Sequence, residues 1–238
     1  MEAGLYVLVS GQLALQRRLD TIANNVANSA TSGFRAENVT FESVLSRQSI
    51  AYAGKGDTTF STAAGGLVQT DNPLDIAVQG DAFFAISTPS GTVYTRDGRL
   101  SVSSSGDIQT LDGHALLDVS GSPLQVSPGS GSIAIAPNGV ISQNGRPVGT
   151  IGLFKLPAGA HLQRGSGAGL VSDAPAVPVI DFTENSIKQG YTENANVNPV
   201  REMTRLVAVS RAFESLSASL DQSDHKLDEA IRALGGSR

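Results

Sequence analysis

The two ends of this chain carry apolar heptad patterns that need helical partners. In residues 3–34 one seam has Gln12 as its only polar member and consists of Leu5, Leu8, Leu15, Leu19, Ile22 and Val26. Near the other end, large apolar residues recur every seven positions at Leu206, Phe213, Leu220, Leu227 and Leu234. Residues 3–34 contain no charges besides Arg17, Arg18 and Asp20, so the outer side of the first helix is also poorly suited to water. We therefore expect other helices to surround both ends.

The middle of the chain has the pattern of short antiparallel strands. Alternating stretches such as Leu74, Ile76 and Val78 are typical of half-buried strands. They are separated by dipeptides that favour type I′ hairpins, namely Asp97-Gly98, Asp112-Gly113, Asn138-Gly139 and Asn144-Gly145. The predicted fold class is α+β, with N- and C-terminal helices that form a coiled-coil-like helical region and a central antiparallel all-β domain.

The boundaries follow from the helix signals. The first helix is expected from about Ala3 to Ala30, before Gly33. The second is expected to open at Asn198, an N-cap followed by the N1 residue Pro199, and to close at Gly235. We predict a discontinuous helical assembly domain at 1–34 plus 184–238, an extended arm or linker at 35–70 and an antiparallel β-domain at 71–183.

Composition narrows the possible functions. A net charge of −5 and a pI near 5.1 provide no basic surface for nucleic acid. The absence of cysteine excludes disulfides and thiolate metal sites. The first residues lack the basic leader of a cleavable signal peptide, and no stretch reaches the roughly 20 apolar residues of a membrane span. If the protein works outside the cytoplasm, we expect another export route.

Short motifs that suggest enzyme chemistry are isolated. Ser223 and Lys226 have the S-x-x-K spacing but no companion motif, which favours a solvated helix turn. The glycine-rich stretch 165–169 lacks the Lys-Ser/Thr of a phosphate-binding loop. His114, His161 and His225 lack metal-ligand spacing. We expect no catalytic site, no metal, no cofactor and no small-molecule substrate.

Three ordered blocks resemble the bacterial flagellar axial proteins, the rod and hook family. They read ANNVANSATSGF at 23–34, NPLDIAVQGDAFFAISTPSGTVYTRDGRL at 72–100 and IKQGYTENANVNPVREMTRLVAVSRAFE at 187–214. Within this family the opening LYVLVSGQLALQRRLDTIANN and the modest length are most similar to proximal-rod members, with distal-rod members next. Asp71 and Ala82 stand where the family pattern usually has glycine, and we expect the backbone near Ala82 to differ locally.

The resemblance implies a structural subunit of the flagellar basal-body rod that polymerises through its terminal helices into the periplasmic drive shaft and transmits torque. It implies export, without a cleavable signal peptide, through the flagellar type III apparatus. The expected partners are other proximal-rod and distal-rod subunits and copies of the chain itself. The alternative from a different class is an exported β-rich enzyme or adhesin with a helical stalk. An isolated stalk should carry Glu and Lys beside its seam, and the first helix lacks them.

The join between the first helix and the arm supplies further candidate assembly residues. Asn24, Asn25 and Asn28 weaken a helix, so we interpret their amides as hydrogen-bonding groups for subunit contacts. Gly33, followed by Phe34, is placed for a left-handed helix end. The sequence therefore predicts that Gly33→Val impairs assembly, whereas Gly33→Asn, which tolerates that conformation, assembles nearly normally.

Overall fold

The computed structural model describes residues 2–41, 43–45, 51–53 and 56–235, which fall into two compact units. The helical unit comprises Met1–Ala27, Glu37–Thr59 and Asn198–Arg238, and the β-rich unit comprises Asn28–Ala36 and Phe60–Val197. The helices are α1, Glu2–Ala27, and α2, Pro199–Gly235. Helices at both ends with antiparallel strands between them confirm the predicted α+β class.

The two helices pack against each other inside the helical unit. Gln12 Nε2 donates a hydrogen bond to Ser217 Oγ at 3.3 Å. A Cβ placed on Gly11 would lie 3.3 Å from Leu216 Cδ2, so the small residue permits close approach. The supercoil of a true coiled coil stays a prediction.

The helix ends follow local signals. Arg201 N–H donates to Asn198 Oδ1 at 3.1 Å, which confirms the predicted N-cap before Pro199. α1 ends at Ala27 rather than Ala30, because the next residues form turns in which Thr31 N–H donates to Asn28 O at 3.0 Å.

Short strands account for most of the rest. Four lie at 37–60, within the predicted arm, where β1 pairs with β4 and β2 pairs antiparallel with β3. These are β1 Glu37–Thr40, β2 Ser43–Leu45, β3 Ala51–Ala53 and β4 Asp57–Phe60. The β-rich unit contributes β5 Leu67–Gln69, β6 Ile76–Gln79, β7 Phe83–Thr88, β8 Gly91–Thr95, β9 Leu100–Val102, β10 Ile108–Thr110, β11 Ala115–Leu116, β12 Ile133–Ile135, β13 Val140–Gln143, β14 Arg146–Thr150, β15 Leu153–Lys155, β16 Leu162–Arg164, β17 Leu170–Ser172, β18 Val177–Pro178, β19 Ser186–Gln189 and β20 Tyr191–Glu193.

A nine-stranded antiparallel sheet dominates the β-rich unit. Its main path runs β16-β17-β8-β7-β11-β10-β9, and β15 joins β7 to β18. Alternation along β7 places Phe84 and Ile86 in the main core while Ala85 packs with Leu117 and Phe154 on the other face. The smaller sheets β12-β13-β14, β19-β6 and β20-β5 complete the unit. Residues 186–193, just before α2, therefore belong to sheets of the β-rich unit.

The predicted hairpin dipeptides have different outcomes. Asn144 and Gly145 have φ of 53° and 76° between β13 and β14, which confirms a type I′ turn. Gly98 lacks a positive φ, so the type I′ prediction for Asp97-Gly98 is wrong; glycine is needed there because a Cβ would lie 1.8 Å from Ile76 O.

The two departures from the family pattern have backbone conformations that their side chains allow. Asp71 adopts the left-handed region with φ of 58°, as an aspartate can. Ala82 is fully buried in the core and does not have a positive φ, so the expected local difference in its backbone is not required.

Candidate functional site

α1 has apolar side chains on two faces. On the predicted seam Ile22 is buried, with 5% of its surface exposed, and the half-buried members are Leu8, Leu15, Leu19 and Val26. The side chain of Leu5 lies outside the described residues. A second set, Tyr6, Val9 and Leu13, is 71%, 40% and 58% exposed. These three, the α1 stripe, share one face by their i, i+3, i+7 spacing.

α2 repeats this arrangement. Leu206, Phe213 and Leu220 are half-buried, while the side chains of Leu227 and Leu234 lie outside the described residues. Between the heptad positions Val209 is buried, with 7% exposed, a residue that the seven-residue spacing alone missed. A separate α2 stripe of Val200, Met203 and Val207 is 74%, 53% and 52% exposed, again at i, i+3, i+7. Each helix thus presents one apolar face to solvent.

Asn25 connects α1 to the strand that follows it. Its Nδ2 donates to Glu37 O at 2.8 Å, and its Oδ1 accepts from Glu37 N–H at 2.9 Å. The side chain is 2% exposed. Both ends of this amide therefore pair within the subunit rather than across a subunit contact. For Asn24, which is exposed, and for Asn28, the intersubunit role stays a prediction.

Gly33 and Phe34 lie inside the β-rich unit. Gly33 has a φ of 69°, which confirms the predicted left-handed conformation. A Cβ on Gly33 would lie only 2.2 Å from the backbone N of Asp97. The expectation that Gly33→Asn is tolerated is therefore wrong, because asparagine meets the φ requirement but not the close approach. Phe34 is 2% exposed, and the Arg164 guanidinium lies over its ring at 4.3 Å.

Three charged residues that the sequence analysis did not single out form a buried cluster. Glu193 Oε1 lies 3.0 Å from Arg35 Nη2, and Glu193 Oε2 lies 3.1 Å from Arg96 Nη1. The three side chains are only 1–2% exposed. Glu193 Oε1 also accepts the N–H of Gly65 at 2.8 Å. We call Arg35, Arg96 and Glu193 the charge cluster.

Backbone carbonyls and an aromatic ring stabilise the buried charge of Arg96. Arg96 donates to Val78 O at 3.2 Å and to Gly80 O at 2.6 Å. Both guanidiniums lie over the Phe83 ring, that of Arg96 at 5.0 Å and that of Arg35 at 5.8 Å. Burial lowers the pKa of Arg96 to about 10, and burial lowers the pKa of Arg35, in each case against the attraction of Glu193. A group with a pKa near 10 is still protonated at neutral pH, so Arg96 remains a buried cation there.

No sequence signal singles out the charge cluster. Arg96 and Glu193 lie within the second and third blocks that resemble the axial proteins, and Arg35 directly follows the first, but these blocks contain other charged residues, such as Asp81 and Arg201. Which charges pair could not be read from sequence, because 97 positions separate Arg96 from Glu193.

The motifs interpreted as non-catalytic have these positions. His114 Nε2 lies 3.1 Å from Ser166 Oγ in an exposed contact. His161 and His225 are exposed, and the side chains of Ser223 and Lys226 are outside the described residues. Within the described ranges, no three His, Asp or Glu residues come together as a metal site. Neither helix, as far as it is described, is long and apolar enough to cross a bilayer.

Comparison with known proteins identifies the family. A model described as "Flagella basal body rod protein" matches residues 5–35, "Flagellar hook protein FlgE/F/G D1 domain" matches 77–143, and "Flagellar basal body rod FlgEFG protein C-terminal" matches 188–233. The chain is 47% identical to the flagellar basal-body rod protein FlgF of Mesorhizobium japonicum, with 99% of each chain covered. It is 40% identical to FlgF of Rhizobium meliloti over the full length of both.

A rod protein of the other type is less similar. FlgG of Bacillus subtilis is 30% identical, with 97% of this chain and 98% of that one covered. The higher identities to FlgF proteins favour that branch over FlgG. The chain therefore belongs to the flagellar basal-body rod protein family, in which it groups with the FlgF proteins as a structural subunit of the rod.

Proposed function

We propose that this subunit polymerises through its terminal helices, with copies of itself and with other proximal-rod and distal-rod subunits, into the periplasmic drive shaft. It reaches the periplasm through the flagellar type III apparatus and performs no catalysis. In this proposal residues 1–34 and 184–238 mediate assembly, residues 35–70 form a connecting arm, and residues 71–183 form the β-domain. The main observation in support of this proposal is that both helices keep an exposed apolar stripe although they already pack against each other.

The exposure pattern supports a further helical contact. Single exposed apolar residues are common on soluble proteins, whereas contiguous sets mark interaction surfaces. Tyr6 and Leu13 lie on one face of α1, and Val200 and Met203 lie on one face of α2. Covering both stripes with neighbouring helices gives each subunit two different contacts, and contacts between unlike surfaces can propagate into a helical polymer.

The test places a charge in the α2 stripe. Met203→Asp puts a carboxylate into a surface that assembly would bury, and an unpaired buried charge is strongly unfavourable. Gln222→Asp is the control, since it adds the same charge to the same helix at an exposed polar position. We expect Met203→Asp to be exported normally but to be nearly absent from purified basal bodies, with motility lost. Quantitative immunoblots decide: normal incorporation of Met203→Asp would show that the α2 stripe is not an assembly surface.

A further inference from the structure

The segments through which the chain leaves the β-rich unit meet one another inside that unit. The chain passes between the units after Ala27, Ala36, Thr59 and Val197. The neighbouring residues of the β-rich unit are 28–36, 60–66 and 190–197, which we call the crossing segments. Since no other backbone links the units, any force passing along the chain enters the β-rich unit through the crossing segments.

Hydrogen bonds tie the three crossing segments to each other. Gly33 N–H donates to Glu193 O at 2.7 Å, and Asn194 N–H donates to Gly66 O at 2.9 Å. Asn196 N–H donates to Phe34 O at 3.2 Å, and its Nδ2 donates to Ala63 O at 2.7 Å. The third crossing segment is thus hydrogen-bonded to both the first and the second.

The charge cluster fastens this junction to the main sheet. Glu193 belongs to the third crossing segment and Arg35 to the first, whereas Arg96 directly follows the central strand β8. The Glu193 carboxylate contacts both arginines and also accepts the Gly65 N–H of the second segment. One side chain therefore contacts all three crossing segments and the end of β8.

A second contact supports the first segment. Arg164, at the end of β16, donates from Nη2 to Arg35 O at 2.8 Å. Its guanidinium lies over the rings of both Phe34 and Phe60, 4.3 and 4.7 Å from their centroids. Two different strands of the nine-stranded sheet thus hold the backbone around residue 35.

Glu193 is the member of the charge cluster whose loss has the widest effect. Without its carboxylate, Arg35 and Arg96 remain as neighbouring buried cations that repel each other. Separating them requires the first crossing segment to move away from Arg96, because Arg96 is held by Val78 O and Gly80 O of the sheet region.

We propose that Glu193 is a positioning residue that clamps the crossing segments onto the main sheet and thereby lets mechanical load pass between the helical and β-rich units as the rod turns. The load-bearing part rests on the proposed function, whereas the clamp itself is a property of the isolated subunit. A carboxylate that merely stabilised the β-rich unit would have no preferential effect on the crossing segments.

Hydrogen exchange of the purified full-length subunit tests the clamp. Glu193→Gln is compared with Glu184→Gln, the same substitution in an exposed ion pair 3.6 Å from Lys155, where Glu184 is 84% exposed. We expect amide exchange in peptides covering 28–36, 60–66 and 190–197 to accelerate about 100-fold or more in Glu193→Gln. Peptides from β10 and β13 should be unchanged in Glu193→Gln, and all peptides should be unchanged in the Glu184→Gln control.

Two results overturn the clamp. One is a uniform acceleration throughout the β-rich unit, which would indicate general stability, and the other is unchanged exchange at the crossing segments. Glu193→Asp, which keeps the charge on a side chain one methylene shorter, covers the case in which Glu193→Gln does not fold; it should show the same local pattern with smaller acceleration. Because these measurements need no rod, they stand even if the proposed assembly surface is wrong.

Swimming under load tests the mechanical role. Cells with Glu193→Asp subunits should incorporate them normally and swim normally in dilute buffer. In viscous medium their swimming speed should fall at least about twofold more than that of wild type, because force favours the local opening of a weakened clamp. Equal swimming of the two strains at every viscosity would exclude load transfer through Glu193. Reduced incorporation with slow swimming in both media would equally reject it in favour of an assembly defect.

Discussion

The two units differ in how their exposed apolar side chains are arranged. In the helical unit these residues share helix faces, and Tyr6 and Val200 are 71% and 74% exposed. The β-rich unit also exposes apolar residues, with Ile180 at 89%, but not on a helix face, and it encloses Arg96 and Glu193, each 1% exposed, as an ion pair. The contiguous apolar helix faces support the proposal that neighbours complete the helical unit.

The strongest test of this comparison removes one aromatic side chain from each unit. Phe84→Ala leaves a cavity in a core where Phe84 is 0% exposed, so the free energy of unfolding should fall by about 3–5 kcal/mol. Tyr6→Ala should change it by less than about 0.5 kcal/mol in the monomer, because Tyr6 is largely exposed. Urea unfolding of both variants measures the contrast. Similar losses in the two would mean that Tyr6 is covered within the subunit.

The Gly33 turn distinguishes backbone conformation from close packing. Gly33→Asn should lower the free energy of unfolding by more than the roughly 1–2 kcal/mol that a left-handed residue costs, because its Cβ would lie 2.2 Å from Asp97 N. Gly113→Asn is the control: Gly113 has a φ of 81°, and nothing lies within 4 Å of its Cβ position. Thermal unfolding should show a clear loss for Gly33→Asn and little change for Gly113→Asn. Equal stability of the two variants would show that the backbone at Gly33 yields easily.

Substitution of Asn25 tests a polar contact between α1 and β1 in the helical unit. Asn25→Ala removes both hydrogen bonds to the Glu37 backbone and should lower the free energy of unfolding by about 1–3 kcal/mol. Asn38→Ala, one residue beyond Glu37 and exposed, should have little effect. Hydrogen exchange at β1 reports the local loss directly. If exchange at β1 stays unchanged, the paired amide of Asn25 does not hold the strand.

The smallest expected effect concerns an exposed ion pair of the β-rich unit. Burial works to raise the pKa of the Asp81 carboxyl, but the hydrogen bond and charge of Lys155, 3.1 Å away, outweigh it and hold this pKa below its ordinary value. Lys155→Gln should therefore raise the pKa of Asp81. The pair's contribution is present at neutral pH and is lost as the pH falls through the lowered pKa, so Lys155→Gln should slightly lower stability at neutral pH and leave acid stability unchanged. An NMR titration of Asp81 that shows no upward shift would contradict this.

Local signals in the sequence predicted local structure well. Asn198 and Pro199 marked the start of α2, and Asn144-Gly145 marked a type I′ turn, because each depends on neighbouring residues only. Gly33 was predicted to have positive φ for the same reason.

Features that depend on distant residues were missed. The close approach of Asp97 to Gly33, and of Ile76 to Gly98, needs the folded sheet and leaves no pattern in nearby residues. The pairing of Glu193 with two arginines likewise arises from topology rather than spacing. The half-buried α2 residues Leu206, Phe213 and Leu220 were predicted from heptads, yet the buried Val209 was not, because it falls between the seven-residue steps.

The charge cluster also sets when the subunit can finish folding. Glu193 contacts partners 97 and 128 positions earlier in the chain, through Arg96 and Gly65. Such long loops are entropically costly to close, so contacts of this kind form late in folding. Until residue 193 is available, Arg35 and Arg96 have no carboxylate to enclose and favour solvent instead. A chain released gradually, from either end, therefore keeps its crossing segments open until nearly all of the β-rich unit is present, and closes them in one final step.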